Sequence, residues 1–145
     1  MARRKIPSDT SYFHYINVNP KNLIEGDCVV RAISRATGLP WKKVYTDLTI
    51  IGAEMCRMPN STQVYDKYLQ TLGFVKNPAP KKPDNHKYRG KEFCEEFFNK
   101  GVCVMHIGGH HMSCVINGVI NDTWNCSGGS IGNYWVRPNN WSILE

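Results

Sequence analysis

The sequence predicts an α+β fold in which a set of helices precedes an antiparallel sheet. In four segments between residues 26 and 100 the apolar residues recur every three or four positions, which is typical of amphipathic helices. After Gly101 the period changes to two, as in strands with one buried face. The dipeptide Asn117-Gly118 separates two such runs and favours the type I′ turn of a β-hairpin. Helices followed by strands along the chain are typical of the α+β class.

Length and composition fit one such domain covering residues 1–145. Hydrophobic residues make up 41% and charged residues 21% of the chain, which excludes a disordered chain, a collagen-like repeat and a coiled coil. No run reaches the roughly 18 apolar residues of a membrane span, and the charged N-terminus lacks the apolar core of a secretory signal. We therefore expect a cytoplasmic protein whose six cysteines are reduced thiols.

The N-terminal part is expected to be an irregular arm followed by the first helix. Residues 1–21 are polar and aromatic, and they favour one short strand near residues 12–16. Helical periodicity begins with Gly26-Asp27-Cys28, and Gly38 ends the helix. The buried stripe of this helix follows the spacing i, i+3, i+4 and i+7: Val29, Ala32, Ile33 and Ala36.

Two more helices follow. Pro40 suits the first position of the second helix, because proline has no N–H to leave unpaired there. Asn60 or Ser61 is the expected N-cap of the third helix, which ends at Gly73. The predicted apolar face of the second helix consists of Trp41, Val44, Tyr45 and Leu48.

Residues 76–90 are predicted to form a basic loop before a fourth helix. The segment is rich in proline and lysine and carries much of the net charge of +6. Such a cluster attracts nucleic acid, acidic protein or anionic lipid, although a solvated loop is the commoner explanation. The fourth helix is predicted for residues 91–100, with Phe93 and Phe97 on one face.

The C-terminal part is predicted to be β-structure built around a hairpin. Strands are expected at residues 102–107, 111–116, 119–123 and 134–136. A two-residue turn at Asn117-Gly118 pairs Ile116 with Val119. Moving away from the turn, each next residue of one strand then pairs with the next residue of the other. Alternation then places one set of side chains on a shared face: His111, Ser113, Val115, Ile120, Asp122 and Trp124. His110 and Asn121 belong to the other face.

Cys28 is the candidate nucleophile. In the first turn of a helix, free N–H groups and the helix dipole favour a thiolate, whereas a buried structural cysteine is the alternative. A thiolate nucleophile needs a base and a group that orients the base. His111 and Asp122 are diagonal neighbours on one hairpin face and fit these two roles. His110 and Asn121 form a second pair of the same kind, and alternation forbids mixing the two.

Two segments resemble the papain-like cysteine peptidase superfamily. Residues 26–32 read GDCVVRA, and residues 109–124 read GHHMSCVINGVINDTW. They are similar to bacteriocin-leader-processing peptidases and to small members encoded by phages and prophages. The resemblance implies the papain-like fold, with the nucleophile at the start of the first helix. It also implies a hydrolase of peptide or isopeptide bonds that needs no cofactor or metal and works in the cytoplasm, that of the host for a phage protein.

The same resemblance assigns roles to residues. Cys28 is implied as the nucleophile, His111 as the base and Asp122 as the orienting acid. The family places an amide, usually Gln, six residues before the nucleophile as an oxyanion-hole donor. That position is Asn22 here, with Asn17 and Asn19 as substitutes.

Other functions remain open at the level of sequence. A zinc-stabilised binding module needs four ligands, although Cys103 and His106 alternate onto opposite faces of a regular strand. The possible ligands are Cys103, His106, His110 or His111, and Cys114 or Cys126. A Cys-dependent acyltransferase uses the same three residue types, and an inactive member keeps the fold without the chemistry. Nucleic-acid binding is disfavoured because no recognisable motif accompanies the basic loop, so the expected partner is a peptide or protein substrate.

Overall fold

The computed structural model describes residues 5–139 and has an α+β fold, as predicted. Four helices and a six-stranded mixed sheet make up the fold. The helices are α1 (Cys28–Thr37), α2 (Trp41–Met55), α3 (Thr62–Thr71) and α4 (Gly90–Glu92), the last continuing into a π-helix (Phe93–Phe97). The strands are β1 (Phe13–Tyr15), β2 (Val75–Asn77), β3 (Val102–Ile107), β4 (His111–Ile116), β5 (Val119–Asp122) and β6 (Ile131–Val136).

The prediction of a purely C-terminal, antiparallel sheet is wrong at both edges. The strand order is β1-β5-β4-β3-β6-β2, and β1 runs parallel to β5 while every other pair is antiparallel. The arm thus contributes one edge strand, and the segment after α3 contributes the other. β1 confirms the short strand expected near residues 12–16, although its place in the sheet was not predicted. β2 was not predicted at all, because three residues are too few for a period of two to show.

Both faces of the sheet are covered by apolar side chains. Along β3, Val102 and Val104 pack towards α1, α2 and α3, while Cys103, Met105 and Ile107 pack on the opposite side. The opposite side is filled by Phe13 from β1 and by Phe93 from the π-helix. This arrangement explains why β3 reads as a nearly continuous apolar run and not as a strict alternation.

The first three helices agree with the predicted periodicity, with two corrections in α2. α1 ends at a left-handed Gly38 whose N–H donates to the Ser34 carbonyl. Pro40 is the N-cap of α2, one position earlier than predicted. Tyr45 does not join the buried face of α2 and is 50% exposed, because Val44 and Leu48 occupy the line that meets the core. Tyr45 instead stacks on Trp41, with 5.3 Å between ring centroids.

The basic segment and the fourth helix differ from the prediction. Residues 76 and 77 belong to β2, and helix α4 already begins at Gly90. The regular helix expected over residues 91–100 is a single turn followed by the π-helix, in which the Phe98 N–H donates to the Phe93 carbonyl. Five residues of α-helix rotate a side chain by about 140°, which would turn Phe98 away from Phe93. The wider π turn keeps these two rings stacked at 5.7 Å.

The hairpin has the predicted register. Asn117 and Gly118 have φ angles of 49° and 75°, as a type I′ turn requires. The pairs are Ile116 with Val119, Val115 with Ile120 and Cys114 with Asn121, and β5 ends at Asp122. Within residues 5–139, none of the helices is long and apolar enough to cross a membrane.

Candidate active site

Three side chains from distant parts of the chain meet at one end of the sheet. Cys28 is the first residue of α1, His111 the first of β4, and Asp122 the last of β5. Because α1 packs against β4, the Cys28 thiol contacts the His111 imidazole and the backbone N–H of Met112. His111 Nε2 lies 2.7 Å from Asp122 Oδ2. The structure therefore brings together Cys28, His111 and Asp122, the three candidate residues identified in the sequence.

The contacts of Cys28 and His111 favour a thiolate–imidazolium pair. Burial opposes ionisation of Cys28, but hydrogen bonds with His111 and the Met112 N–H outweigh it and lower the pKa of the thiol. Burial also opposes protonation of His111. Hydrogen bonds, first of all the one to Asp122, nevertheless raise the pKa of His111 to about 11. Proton transfer from the thiol to the imidazole is thus favoured before any substrate binds.

Asp122 is buried and hydrogen-bonded on both oxygens. Its Oδ2 accepts from Ser113 Oγ at 2.6 Å as well as from His111, and its Oδ1 accepts from the Thr123 N–H at 2.7 Å. Burial disfavours the carboxylate, but these hydrogen bonds, led by the one from His111, lower the pKa of Asp122. The side chain is therefore held as an anion with one oxygen directed at the imidazole.

Arg31 links helix α1, which carries Cys28, to strand β5, which carries Asp122. Its Nη1 donates to Asp122 Oδ1 at 2.9 Å, and its Nε donates to Asp27 Oδ1, also at 2.9 Å. Burial opposes the charge, but the two carboxylates raise the pKa of Arg31 further. Asp27 in turn accepts from Asn19 Nδ2 at 3.2 Å and from Trp41 Nε1 at 3.0 Å. The guanidinium ties α1 to β5 beside the nucleophile.

Sequence reasoning missed these contacts of Arg31 and Ser113. A signal existed for each: Arg31 follows Cys28 by three positions and so shares its helix face, and Ser113 stands on the predicted face of Asp122. Helical spacing alone does not reveal that Arg31 reaches a carboxylate 91 residues away.

The second candidate pair on the hairpin is not assembled. His110 is exposed and lies in the turn before β4. Asn121 faces α1, where its Oδ1 accepts from Arg35 Nε at 3.1 Å. Within the described residues, no hydrogen bond joins His110 to Asn121. The predicted parity of the hairpin thus separates the two pairs as expected.

Trp124 covers the outer side of His111. The two ring centroids are 4.8 Å apart and the planes are tilted by 51°. The indole itself is 47% exposed. It therefore shields the imidazole while remaining at the surface, the position expected from its place on the hairpin face.

The oxyanion-hole role of Asn22 stays a prediction. Asn22 is exposed with a φ of 54°, and its Oδ1 accepts from Asn17 Nδ2 at 3.3 Å. The amides of the two substitutes are engaged: Asn17 also donates to the Leu23 carbonyl, and Asn19 donates to Asp27. Among residues 5–139, the Nδ2 of Asn22 has no hydrogen-bond partner, so this amide alone of the three keeps its full donor capacity.

The zinc ligands considered from the sequence do not come together as a set. Cys103 packs on the side of the sheet opposite to α1, whereas His106 hydrogen-bonds Tyr65 on the helix side. Two of the candidates, His111 and Cys126, do come together, but with Asp122 as the third group: the ligand atoms of these three residues lie within 4.8 Å of one another. All six cysteines are free thiols.

A thiol, an imidazole and a carboxylate in this order match the nucleophile, base and orienting group of thiol-dependent acyl chemistry. Each of the three comes from a different element, and Arg31 and Ser113 fix the acid from two sides. Comparison of the chain with models of known protein families gives no match, and comparisons with curated proteins and with solved structures give none either.

Proposed function

We propose that this protein is a thiol hydrolase that cleaves a peptide or isopeptide bond, with a fold of the papain-like type that its two motifs resemble. The observation that carries the proposal is the contact of Cys28 with the His111 imidazole, whose Nε2 lies 2.7 Å from a buried carboxylate oxygen of Asp122. In this arrangement Cys28 is the nucleophile, His111 the base and Asp122 the orienting acid.

The chemistry follows from the contacts. The Cys28 thiolate attacks the carbonyl carbon, and the oxygen takes the charge in a tetrahedral intermediate. The N–H of Cys28 and the amide of Asn22 are the proposed donors to that oxygen. The C–N bond then breaks as His111 gives its proton to the leaving amine, which leaves a thioester. Water, deprotonated by His111, hydrolyses the thioester and releases the acid and the thiolate.

A groove near the start of α1 has a composition that suits a peptide. It measures about 490 Å³ and is lined by Gly26, Asp27, Leu23, Trp41 and Met58 among others, although Cys28 itself does not line it. Its walls are mainly apolar side chains, which favours contact with peptide side chains. We place the reaction in the cytoplasm, where free thiols persist.

The first test is thiol reactivity, measured with iodoacetamide and site-resolved mass spectrometry. We expect Cys28 to be alkylated fastest, and to keep this lead at about pH 6, because its thiolate is stabilised by His111. Burial raises the pKa of Cys94 and Cys114 to about 12, so these should react slowly. Cys56 is exposed and serves as the internal reference within the same molecule.

The second test is turnover of a peptide mixture in heavy-oxygen water, with Cys28→Ala as the control. Hydrolysis places one heavy oxygen in each new carboxyl group, whereas transfer to an amine acceptor places none. Equal alkylation of Cys28 and Cys56 at acidic pH would contradict the nucleophile. New termini without heavy oxygen would make the protein an acyltransferase.

A further inference from the structure

A second thiol, that of Cys126, lies next to His111 and has no role in the proposed reaction. Cys126 is in the loop after β5 and is 3% exposed. Its Sγ lies 3.8 Å from Asp122 Oδ2 and also contacts the His111 imidazole. The attack, the proton transfer and the thioester hydrolysis do not use it. A buried thiol, an imidazole and a carboxylate that lie together can also bind a metal ion.

The set matches the ligands that zinc prefers. Thiolate, imidazole and carboxylate are the three side-chain ligands of protein zinc sites, and three of them with one open position is the common incomplete shell. Ligand atoms around tetrahedral zinc lie about 3.3–3.8 Å apart, given bonds of roughly 2.0–2.3 Å. The sulfur of Cys126 is already at that spacing from Asp122. His111 Nε2 and Asp122 Oδ2, at 2.7 Å, need to separate by only about 0.6 Å to admit the ion.

Charge and support also fit a divalent cation. Cys126 as thiolate and Asp122 as carboxylate balance the two positive charges of Zn²⁺, and a neutral His111 adds none. Loading releases the proton of the Cys126 thiol and the proton of an imidazolium to solvent. Ser113 and Arg31 hold Asp122 from behind, and such outer contacts orient metal ligands.

We propose that His111, Asp122 and Cys126 form an inhibitory Zn²⁺ site. The ion occupies Nε2 of His111 and replaces its bond to Asp122. The single proton of the neutral ring then sits on Nδ1, so neither ring nitrogen has a free lone pair to accept the proton of Cys28. The loaded protein therefore lacks the base that activates the thiol. The inhibitory half of this inference rests on the proposed function; the metal site itself does not.

The metal site is tested by titrating the reduced full chain with Zn²⁺ in competition with a chromophoric chelator. We expect one ion per chain. Cys126→Ser should weaken binding by at least about tenfold, since it removes a ligand. Cys28→Ser is the matched control, a thiol on the other side of the same imidazole, and should leave the affinity within about threefold of the wild type. With Co²⁺, Cys28→Ser should keep the sulfur-to-metal charge-transfer band that Cys126→Ser loses.

Three results would overturn the site. They are no binding to the wild-type chain, loss of the Co²⁺ band in Cys28→Ser, and equal affinity of Cys126→Ser and wild type. Because the Co²⁺ band is read in Cys28→Ser, the test stands even where Cys126→Ser does not fold.

Inhibition is read separately, as the rate of Cys28 alkylation with and without Zn²⁺. The ion should slow alkylation of the wild type, a chelator should restore the rate, and Cys126→Ser should not respond. Metal binding without enhanced Cys28 reactivity in the metal-free protein would remove the proposed function and leave the site. An unchanged rate at saturating Zn²⁺ would remove the inhibitory role alone.

Discussion

Arg31 is the single residue that connects most parts of the candidate site. Its guanidinium is nearly buried and paired with two buried carboxylates, those of Asp27 and Asp122. Removing one member of such a network leaves a buried charge without its counter-ion, which is strongly destabilising. Arg31 thus offsets the burial of Asp122, and Asp122 in turn keeps His111 protonated.

The first prediction concerns the two neighbouring histidines. His111→Ala should slow the alkylation of Cys28 by at least about a hundredfold, because it removes the group that takes the thiol proton. His110→Ala should leave the rate near that of the wild type, since His110 is exposed and lies outside the site. The measurement is the pseudo-first-order rate of Cys28 labelling at neutral pH. A slow His110→Ala beside a fast His111→Ala would reverse the assignment.

How far the sequence predicts the site depends on the range of each contact. A helix start marks Cys28, and alternation across a two-residue turn pairs His111 with Asp122, rules that act over a few residues. The same alternation offered His110 with Asn121, and the resemblance of the two motifs made the choice between the pairs. The ion pair of Arg31 with Asp122 and the position of Cys126 depend on how α1 and the 123–130 loop pack on the sheet. No local pattern encodes that packing, so the sequence did not reveal these contacts.

Among the elements, the β4–β5 hairpin is the one whose local geometry decides the site. Its turn fixes which side chains share a face. The turn packs closely against the π-helix, since a Cβ on Gly118 would lie only 2.9 Å from the Cys94 carbonyl oxygen. The Gly101 N–H also donates to Asn117 Oδ1 at 2.8 Å. The turn is therefore constrained both by its own dihedral angles and by its neighbours.

The second prediction tests this turn. Gly118→Ala should lower the free energy of unfolding by more than about 1 kcal/mol, because φ is 75° and the added methyl group meets backbone. Gly128→Ala is the control, since a Cβ there has open space. Urea unfolding at neutral pH measures both. Equal midpoints for the two variants would show that the turn is not constrained in this way.

The π-helix marks the limit of prediction at the level of elements. The spacing of Phe93 and Phe97 is helical, and it predicted a regular helix to residue 100. The actual turn is set by Phe98 and Tyr134, whose ring centroids lie 6.2 Å apart across the opposite core. This aromatic contact overrides the local helical periodicity. Because Tyr134 is 36 positions further along the chain, the periodicity of residues 91–100 could not reveal it.

For the whole molecule, protonation of the site couples to stability. The pKa of His111 rises from 6.5 to about 11 on folding, so its contribution is complete below 6.5 and is lost as pH rises towards 11. The pKa of Cys28 falls on folding, so its contribution is complete above 9.0 and is lost as pH falls. At a pH where Cys28 and His111 are ionised in the folded chain but neutral in the unfolded chain, folding moves one proton from the thiol to the imidazole.

The third prediction follows from that balance. Below pH 9.0, the proton that Cys28 releases on folding offsets the proton that His111 gains, so the pair gives the wild type a smaller slope of stability with pH than His111 alone would give. In Cys28→Ser, residue 28 has no proton to release on folding, whereas His111 still gains one. Its stability should therefore fall with pH more steeply than that of the wild type, by up to about 1.4 kcal/mol per pH unit. Urea unfolding at several pH values gives both curves.

Cys56→Ser is the control for this experiment, since it removes an exposed thiol far from the pair's contacts. Its curve should run parallel to that of the wild type. Parallel curves for Cys28→Ser as well would mean that His111 and Cys28 do not exchange a proton on folding.

The parallel pairing of β1 with β5 has a consequence for the timing of synthesis. The Ile16 N–H donates to the Asp122 carbonyl, and Phe13 pairs with Ile120, so the first strand of the chain completes the sheet only after the hairpin exists. Cys28 likewise waits for His111. On the ribosome, Cys28 therefore emerges well before the two residues that contact it or orient its partner, and long-range closures of this kind are slow steps of folding. Until residues 111 to 122 have emerged and folded onto α1, the thiol keeps the ordinary acidity of an unfolded cysteine.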